Sequence, residues 1–377
     1  MQKFNSPAAG ANDFAFRLSK ELLKSSGKGN FLCSPFSAWM PLAALTNAAD
    51  AASRPALLDA IGAAGFPAGQ LNEAAGQMLA ALTKPALSDH NPLQIANAVF
   101  VGRDAALKKS FQTVFSENYG GKAFSVDFSS PLAVKAINDW ASENTNGLIP
   151  SIIQQFDPAT AAAIANAIYF ADRWAWEFRP GETKAGAFHG LGGGSTAQFM
   201  RREGNRQIYY EDDRLQATPL EFKTGGGLYI LLPKDDGAVS LLSGLTDDGF
   251  RRIREDSRWM SGTLLLPRFK IDNAGTELTG ALQALGVPLF DERAAPLTGG
   301  LVEGNAPLWL SGAFQKAKIE VDEKGTTTAA VTVMAMCGSA LFEPTAPFEM
   351  ICDKPFAFVL YSNGGQILFT GVVNQVG

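Results

Sequence analysis

Hydrophobic spacing divides the chain into a helix-rich first part and a strand-rich remainder. In FAFRLSKELLK, apolar residues such as Phe14, Leu18 and Leu22 roughly mark one face, and Asp13 is predicted to cap the helix. Ser34-Pro35 opens a longer run, FSAWMPLAALTNAA, whose broad apolar surface predicts a buried central helix.

Further helices are predicted at 55–64, 72–83, 131–144, 239–254 and 276–285. The first long strand is predicted at 93–101, and the continuous apolar run 161–171 predicts a central strand buried on both faces. Further strands are predicted in RQIYYE, ATPLEF, GLYILLP, GTLLLPRFKI, AKIEV, PFEMIC, PFAFVLY and QILFTGVV.

This order of elements indicates an α+β fold with mainly antiparallel sheets. No period of about 20 to 50 residues repeats, and no Ser/Pro/Gly-rich linker divides the chain. We therefore expect one domain over residues 1–377.

The window 325–342, GTTTAAVTVMAMCGSALF, carries no charge. It lies between Asp322-Glu323-Lys324 and Glu343, and its threonines and small or β-branched side chains favour a strand. A neutral, β-prone segment left on an open sheet edge promotes aggregation. Two interpretations remain: an ordinary buried strand, or a segment held in reserve for insertion into a sheet.

Composition and charge exclude several classes of function. The 377 residues are 46% hydrophobic and 18% charged, with a net charge of −5 and a pI near 5.3, so we expect no nucleic-acid partner. The basic residues are scattered, so no heparin-like site is evident, and no apolar run approaches the length of a membrane span. The N-terminus shows no apolar signal core.

Cysteine and histidine give no enzyme signature. Three cysteines without CxxC spacing argue against a disulfide framework or a zinc site; Cys33 and Cys352 are expected to be small buried hydrophobes, and Cys337 an exposed thiol. Neither His90 nor His189 lies in a motif that would make it a general base. We expect no catalytic residue, no metal and no cofactor.

Two glycine clusters also need an interpretation. Gly190 and Gly192–Gly194 could cradle a phosphate only if a helix began directly after them, so we interpret this cluster as a loop. Gly225–Gly227 separate two strand-like runs and predict a hairpin connection.

Several segments, in order and spacing along nearly the whole chain, resemble the serpin family of serine protease inhibitors. They are NFLCSPFSAWMPLAALTNAA, AINDWASENTNGLIPSII, ANAIYFADRWAWEFRP, TKAGAFH, LLLPRFKID, LGVPLFD, AKIEVDEKGT, DKPFAFVLY and ILFTGVV.

The resemblance implies a fold of three mainly antiparallel β-sheets and about nine helices, with an exposed reactive-centre loop at about residues 323–347. A target protease cleaves this loop and is trapped as an acyl-enzyme while the loop enters the main sheet; loop insertion in serpins is a standard example of strand addition. The resemblance places the hinge of the loop at Glu323, Gly325, Thr326, Thr327, Thr328, Ala329 and Ala330.

The hinge residues suit insertion because they are small and uncharged after Lys324. A charge at Thr326 would have to be desolvated on entry. The family usually has Glu at position 327 and Ala at 328, where this chain has threonines, and Val331 is bulkier than the common Ala. These departures favour the alternative of a non-inhibitory serpin that binds or stores a ligand.

The family's count from Glu323 places the cleaved bond between Ser339 and Ala340, with Met336, Cys337 and 341–342 as neighbouring candidates. No Lys or Arg lies between residues 325 and 353, which excludes a trypsin-like target pocket. Ser or Ala suits an elastase-like or subtilisin-like protease, and a shifted register suits a chymotrypsin-like one.

The resemblance also assigns structural roles to residues beneath and beside the two central strands that separate when the loop inserts. They are Ser34, Ser37, Asn166, Trp174 and Gln315. The family usually has His where this chain has Gln315, so we expect a similar hydrogen-bond network with little pH sensing.

Because the insertion segment is neutral, we expect an inhibitory serpin that forms a covalent complex with a serine protease. A cysteine protease is the alternative partner. We expect a monomer without a membrane partner, in an extracellular or periplasmic compartment after leader removal, or alternatively in the cytoplasm.

Overall fold

The structure, a computed structural model, describes residues 3–83, 93–157, 159–235, 237–272, 275–326 and 346–376. Among these residues, no helix combines the length and apolarity needed to cross a bilayer.

The described residues contain nine α-helices and two short 3-10 helices. The α-helices are α1 Pro7–Leu23, α2 Pro35–Leu45, α3 Arg54–Ala60, α4 Ala68–Thr83, α5 Lys109–Tyr119, α6 Pro131–Asn144, α7 Ala238–Gly244, α8 Asp247–Asp256 and α9 Thr279–Ala284. The 3-10 helices are Pro180–Glu182 and Pro288–Phe290.

The strands overlap every predicted strand segment, but several others, such as those at 31–33 and 121–126, were not predicted. The strands are β1 Phe31–Cys33, β2 Leu93–Gly102, β3 Gly121–Val126, β4 Ala162–Phe170, β5 Asp172–Arg173, β6 Lys184–Gly190, β7 Gly193–Glu211, β8 Leu215–Glu221, β9 Gly227–Pro233, β10 Arg258–Pro267, β11 Phe269–Asp272, β12 Thr276–Glu277, β13 Gly312–Val321, β14 Gly325–Thr326, β15 Phe348–Ile351, β16 Phe356–Tyr361 and β17 Ile367–Val373.

The strands of the described residues form three sheets. A nine-stranded sheet has the order β1-β17-β16-β9-β8-β7-β10-β15, with β6 also paired to β7. A six-stranded sheet has the order β11-β13-β4-β2-β3, with β12 also paired to β13, and β14 pairs with β5 in a small third sheet. Most pairs are antiparallel, as predicted; the parallel exceptions described here are β10 with β15, β2 with β3, and β13 with β4.

Helix α2 lies in the core between the two large sheets. All eleven of its residues are buried, because its apolar surface extends around the whole helix rather than along one stripe. On the other face of the six-stranded sheet, α6 packs in a second cluster with Phe100, Ile137 and Trp140. The six-stranded sheet is therefore buried between two helical layers, which explains the unbroken burial of β4.

Several local predictions were wrong. The helix predicted at 239–254 is divided into α7 and α8, and the first two residues of the helix predicted at 276–285 form β12. Asp13 does not cap α1 but lies inside it, in an ion pair with Arg17; the helix begins at Pro7, and the hydroxyl of Ser6 accepts a hydrogen bond from the amide of Ala9. A Ser-Pro start supplies both a cap and a residue suited to the first turn, so it extends the helix upstream.

The glycine cluster at 190–194 is not an open loop. Gly190 and Gly193 are paired ends of β6 and β7, joined by a tight turn at Leu191 and Gly192. A strand, not a helix, follows the turn, so the geometry of a helix N-terminal phosphate site is missing here. Gly225 and Gly226 have positive φ in the connection of β8 to β9, which confirms the predicted hairpin.

Candidate functional site: the β4–β13 seam and the loop hinge

The centre of the six-stranded sheet is a parallel pair of strands that no intervening strand separates. β4 and β13 pair over seven positions, from Gly312 opposite Ala163 to Lys318 opposite Tyr169. We call this boundary the seam. Parallel pairing is slightly less stable per residue than antiparallel pairing. The two strands of the seam are therefore expected to separate more readily than the antiparallel pairs that make up most of the rest of the sheet.

Gln315 and Asn166 face each other across the middle of the seam. Both are buried, and the amide nitrogen of Gln315 donates to Asn166 Oδ1 at 3.3 Å. Asn166 in turn donates to the backbone oxygen of Ala96 on the neighbouring strand β2. A direct side-chain hydrogen bond therefore joins the two strands that would part if the seam opened.

The start of α2 supplies the rest of this polar cluster. The Ser34 amide donates to Gln315 Oε1, and Gln315 Nε2 donates to the Ser34 carbonyl, both at 2.8 Å. The hydroxyl of Ser37 donates to Asn166 Oδ1, and the Ser34 hydroxyl donates to the Leu368 carbonyl at 2.6 Å. The structure thus places Ser34, Ser37, Asn166 and Gln315, which the resemblance assigned to one polar cluster, within hydrogen-bonding distance of one another, and Gln315 makes several of the hydrogen bonds.

A fifth member, Asn97, was missed by the sequence analysis. It lies on β2 opposite Asn166, is buried, and its Oδ1 accepts a hydrogen bond of 2.7 Å from Asn166 Nδ2. The available signal was an asparagine inside the apolar strand LQIANAVFV, because a buried polar side chain needs partners.

The hinge lies at the end of β13. Asp322 Oδ1 accepts from the amides of Lys324 and Gly325, which turns the chain so that β14 pairs antiparallel with β5. An added Cβ on Gly325 would lie 2.0 Å from the Asp172 carbonyl oxygen. Only glycine allows this approach, so the glycine at this position has a structural reason.

Thr326, the second residue of the neutral window and the last one of it that the structure describes, is fully buried beside β5. Its hydroxyl accepts a hydrogen bond of 3.0 Å from the amide of Asp172. The Asp172 carboxylate accepts from the hydroxyl of Thr224, which ties β5 to the hairpin between β8 and β9. Asp172 and Thr224 were not predicted, because neither lies in a recognisable motif.

Trp174 packs against the hinge and is hydrogen-bonded to it. It is fully buried, stacks on Phe222 with the ring centroids 4.9 Å apart, and its indole nitrogen donates to the Asp322 carbonyl at 2.9 Å. The Trp174 amide also donates to the Lys324 carbonyl at 2.9 Å. Trp174 therefore contacts the segment where the loop leaves the sheet, at the position that the sequence resemblance implied.

Glu323 is a buried carboxylate in the same turn. Arg268 donates to Glu323 Oε1 from Nη2 at 2.6 Å and from Nε at 3.0 Å, and the hydroxyl of Thr183 donates to the same oxygen. Burial alone would raise the pKa of Glu323, but these hydrogen bonds outweigh it and hold the pKa below its usual value. The predicted hinge residue therefore has two partners, Arg268 and Thr183, that the sequence did not identify.

Several predicted positions fall outside the described residues. They are Thr327, Thr328, Ala329, Ala330, Cys337, Ser339 and Ala340. The other two cysteines are fully buried, as expected, and burial raises the pKa of each thiol, so Cys33 and Cys352 are poor nucleophiles.

The directions of the strands determine how an additional strand would pair in the seam. β4 and β13 run in the same direction, and β14 leaves the end of β13 to run antiparallel to β5, which continues β4 after Ala171. A strand that continued from β14 between β4 and β13 would run antiparallel to both. One parallel ladder would then be exchanged for two antiparallel ladders.

Comparison with known proteins agrees with this geometry. The family model described as serpin (serine protease inhibitor) matches residues 9–376. The chain is 32% identical to Serpin-ZXA of Oryza sativa subsp. japonica, over 96% of both chains, and 30% identical to alpha-1-antiproteinase of Rattus norvegicus, over 96% of this chain and 87% of that protein.

Among solved structures, Serpin48 of the insect Tenebrio molitor superposes with a TM-score of 0.86 at 27% identity, over all of both chains. The three sheets and nine helices of the described residues are thus those of the serpin fold. Serpins are generally protease inhibitors rather than enzymes, which suits a chain whose distinctive features are a seam and a hinge. Both the sequence match and the superposition cover nearly the whole chain, so this protein belongs to the serpin family.

Proposed function

We propose that this chain is an inhibitory serpin that traps serine proteases of small or apolar specificity as covalent acyl-enzymes. The observation that carries the proposal is the hinge: uncharged Thr326 is already buried at the end of the seam, with Gly325 fitted against β5. The neutral segment that follows in the sequence contains neither proline nor charge up to Phe342. It therefore meets the chemical requirements for a strand that enters a sheet.

The covalent step uses the machinery of the protease. Its serine Oγ attacks the carbonyl carbon of Ser339, the Ser339–Ala340 C–N bond breaks, and the Ala340 amine leaves with the proton carried by the protease's general base. The Ser339 carbonyl remains joined to the protease as an ester. Hydrolysis of that ester would release the protease, so inhibition requires that insertion move it before water attacks.

The driving force comes from the exchange of ladders at the seam. An inserted strand of roughly a dozen residues gains hydrogen bonds on both sides, at about 0.5–1.5 kcal/mol each, and replaces the seven-residue parallel pairing. The net gain is on the order of 10 kcal/mol. The uncut form is then protected by a kinetic barrier rather than by its equilibrium stability.

The expected class of target follows from the sequence around the proposed cleaved bond. Ser339 and Ala340 suit an elastase-like or subtilisin-like pocket, and Met336 or Leu341 would suit a chymotrypsin-like one if the register differs. No basic residue between 325 and 353 is present to pair with the carboxylate of a trypsin-like pocket. A cysteine protease of similar specificity is a further partner class, and an exported location, or alternatively a cytoplasmic one, is part of the same proposal.

Incubation with pancreatic elastase, subtilisin and chymotrypsin tests the proposal. An SDS-stable complex is expected whose mass is the sum of the two proteins less a C-terminal fragment that begins at Ala340. Cleavage by all three without a complex would contradict inhibition and support a non-inhibitory serpin. Trypsin is the matched control, because no site for it lies in the neutral segment.

A further inference from the structure

The hydrogen bonds of the seam continue into the helical layer. Asn97 Nδ2 donates at 3.1 Å to the carbonyl of Tyr119, the last residue of α5. This carbonyl belongs to a helix C-terminus, where backbone oxygens have no partner within the helix. The Tyr119 side chain is fully buried, and its hydroxyl donates at 2.7 Å to Asn72 Oδ1 on α4.

Asn72 connects the hydroxyl to the end of α2. Asn72 Nδ2 donates to Asn47 Oδ1 at 3.1 Å, and Asn47 Nδ2 donates to Asn72 Oδ1 at 3.0 Å. Asn47 lies two residues after α2 and also donates to the Ala44 carbonyl. An unbroken series of contacts therefore runs from the seam, through α5 and α4, to the far end of the helix that carries Ser34 and Ser37.

These contacts indicate which parts separate when the seam opens. Gln315 holds both the amide and the carbonyl of Ser34, so we assign α2 to the half that contains β13; the hydrogen bond from Ser37 to Asn166 on β4 then also crosses the boundary. β4 pairs with β2 over nine positions and shares the Asn166–Asn97 hydrogen bond, so β2 moves with β4. Because α5 joins β2 to the paired strand β3 and holds Asn97 through Tyr119, it belongs to the same half.

Asn72 pairs with Asn47 at the end of α2, so we assign it to the half that contains α2, and the hydrogen bond from the Tyr119 hydroxyl to Asn72 then crosses the boundary between the two halves. We propose that Tyr119 and Asn72 form a second latch, which must break before the seam can admit a strand and which sets the rate of insertion together with Gln315. Tyr119 is a positioning residue in this scheme, since it acts through Asn97 and Asn166. The inference rests on the proposed inhibitory function but concerns a residue outside the seam.

The latch stays closed across neutral pH. Burial raises the pKa of Tyr119, so the hydroxyl remains protonated and able to donate.

Uptake of a synthetic peptide by the uncut protein tests the latch without a protease. The probe is an acetylated peptide with the sequence of residues 326–336, and its entry into the sheet is followed by native gel electrophoresis and by the rise in unfolding temperature. Tyr119→Phe is compared with Tyr229→Phe. Tyr229 lies on strand β9 of the nine-stranded sheet. It is also a buried tyrosine, and its hydroxyl is 3.1 Å from Ser257 Oγ.

Both variants lose one hydroxyl hydrogen bond, so a purely structural role predicts the same result for both. The latch predicts uptake about 5-fold faster in Tyr119→Phe than in Tyr229→Phe, the factor that corresponds to one neutral hydrogen bond of about 1 kcal/mol. Equal uptake rates in the two variants would overturn the latch. If the wild-type protein neither takes up the peptide nor traps a protease, the proposed function itself fails.

Asn72→Ala provides a second test that does not alter the core. Asn72 is only partly buried, and alanine favours a helix, so α4 should form normally. Gln77→Ala is its control, because Gln77 lies on the same helix and donates only to exposed Glu73. Faster peptide uptake in Asn72→Ala but not in Gln77→Ala supports the latch, and equal uptake in both contradicts it.

Discussion

Gln315→Met would remove the hydrogen bonds of the seam while nearly preserving its packing. Methionine is close to glutamine in length but has no amide. The Ser34 carbonyl would keep the Ala38 amide as a donor, and Asn166 Oδ1 would keep the Ser37 hydroxyl. The buried Ser34 amide, however, would lose its acceptor at 2.8 Å.

One orphaned buried N–H costs about 1–3 kcal/mol. The unfolding entropy is about 2.1 cal/mol/K per residue, which for a chain of this length gives a fall in Tm of about 1–4 °C. Circular dichroism at one fixed scan rate measures this shift, because unfolding of a kinetically trapped form depends on scan rate. The half-life of the trapping activity at a temperature below Tm measures the barrier at the seam and should shorten several-fold.

Gln207→Met is the matched control. Gln207 is also buried, and its Nε2 donates at 2.7 Å to the Gly262 carbonyl in the nine-stranded sheet. It should lower Tm by a similar amount and leave the half-life of the trapping activity unchanged. The reasoning would be refuted if Gln315→Met kept the wild-type Tm and half-life, or if both variants shortened the half-life equally.

Three further predictions concern the hinge. Gly325→Ala should displace β14, because the added Cβ would lie 2.0 Å from the Asp172 carbonyl oxygen. The number of inhibitor molecules consumed per protease trapped, measured by titration, should therefore rise. An unchanged number would contradict the requirement for glycine at this position. Arg268→Gln should make stability depend less on pH in the acid range. The lowered pKa of Glu323 stabilises the wild-type fold above the ordinary pKa of about 4.5, and this contribution is lost as the pH falls through the lower pKa of the folded state. Because the Arg268 side chain is 47% exposed, the change in the free energy of unfolding, measured in urea, should be about 1 kcal/mol or less. Thr326→Arg would place a charge at a fully buried position, so the protease should cut the loop and escape; an undiminished SDS-stable complex would show that this residue need not enter the sheet.

Much of the fold could be predicted from patterns within single segments of the sequence. Helix α6 occupies the predicted residues 131–144, and β4 lies within the predicted run 161–171. Each signal is contained in one segment: an apolar stripe at helical spacing ending at Asn146-Gly147, or a continuous apolar run. The breadth of apolar surface in α2 likewise predicted its complete burial.

Partners distant in sequence could not be predicted from the same patterns. Glu323 was identified as a hinge residue, but its partner Arg268 lies 55 residues away in the sequence. The link from Asn97 to Tyr119 depends on how α5 folds back on β2, and that from Tyr119 to Asn72 depends on how two helices pack. Only the presence of a buried asparagine in a strand was visible beforehand, not its partner.

The central claim is that the uncut protein holds in reserve a seventh strand for its own six-stranded sheet. The most direct measurement is the Tm of the protein before and after a protease cuts once between residues 336 and 342. The proposed mechanism predicts that the cut protein melts at a much higher temperature, because the freed segment has joined β4 and β13. A cut protein that melts at or below the temperature of the intact one would contradict the account.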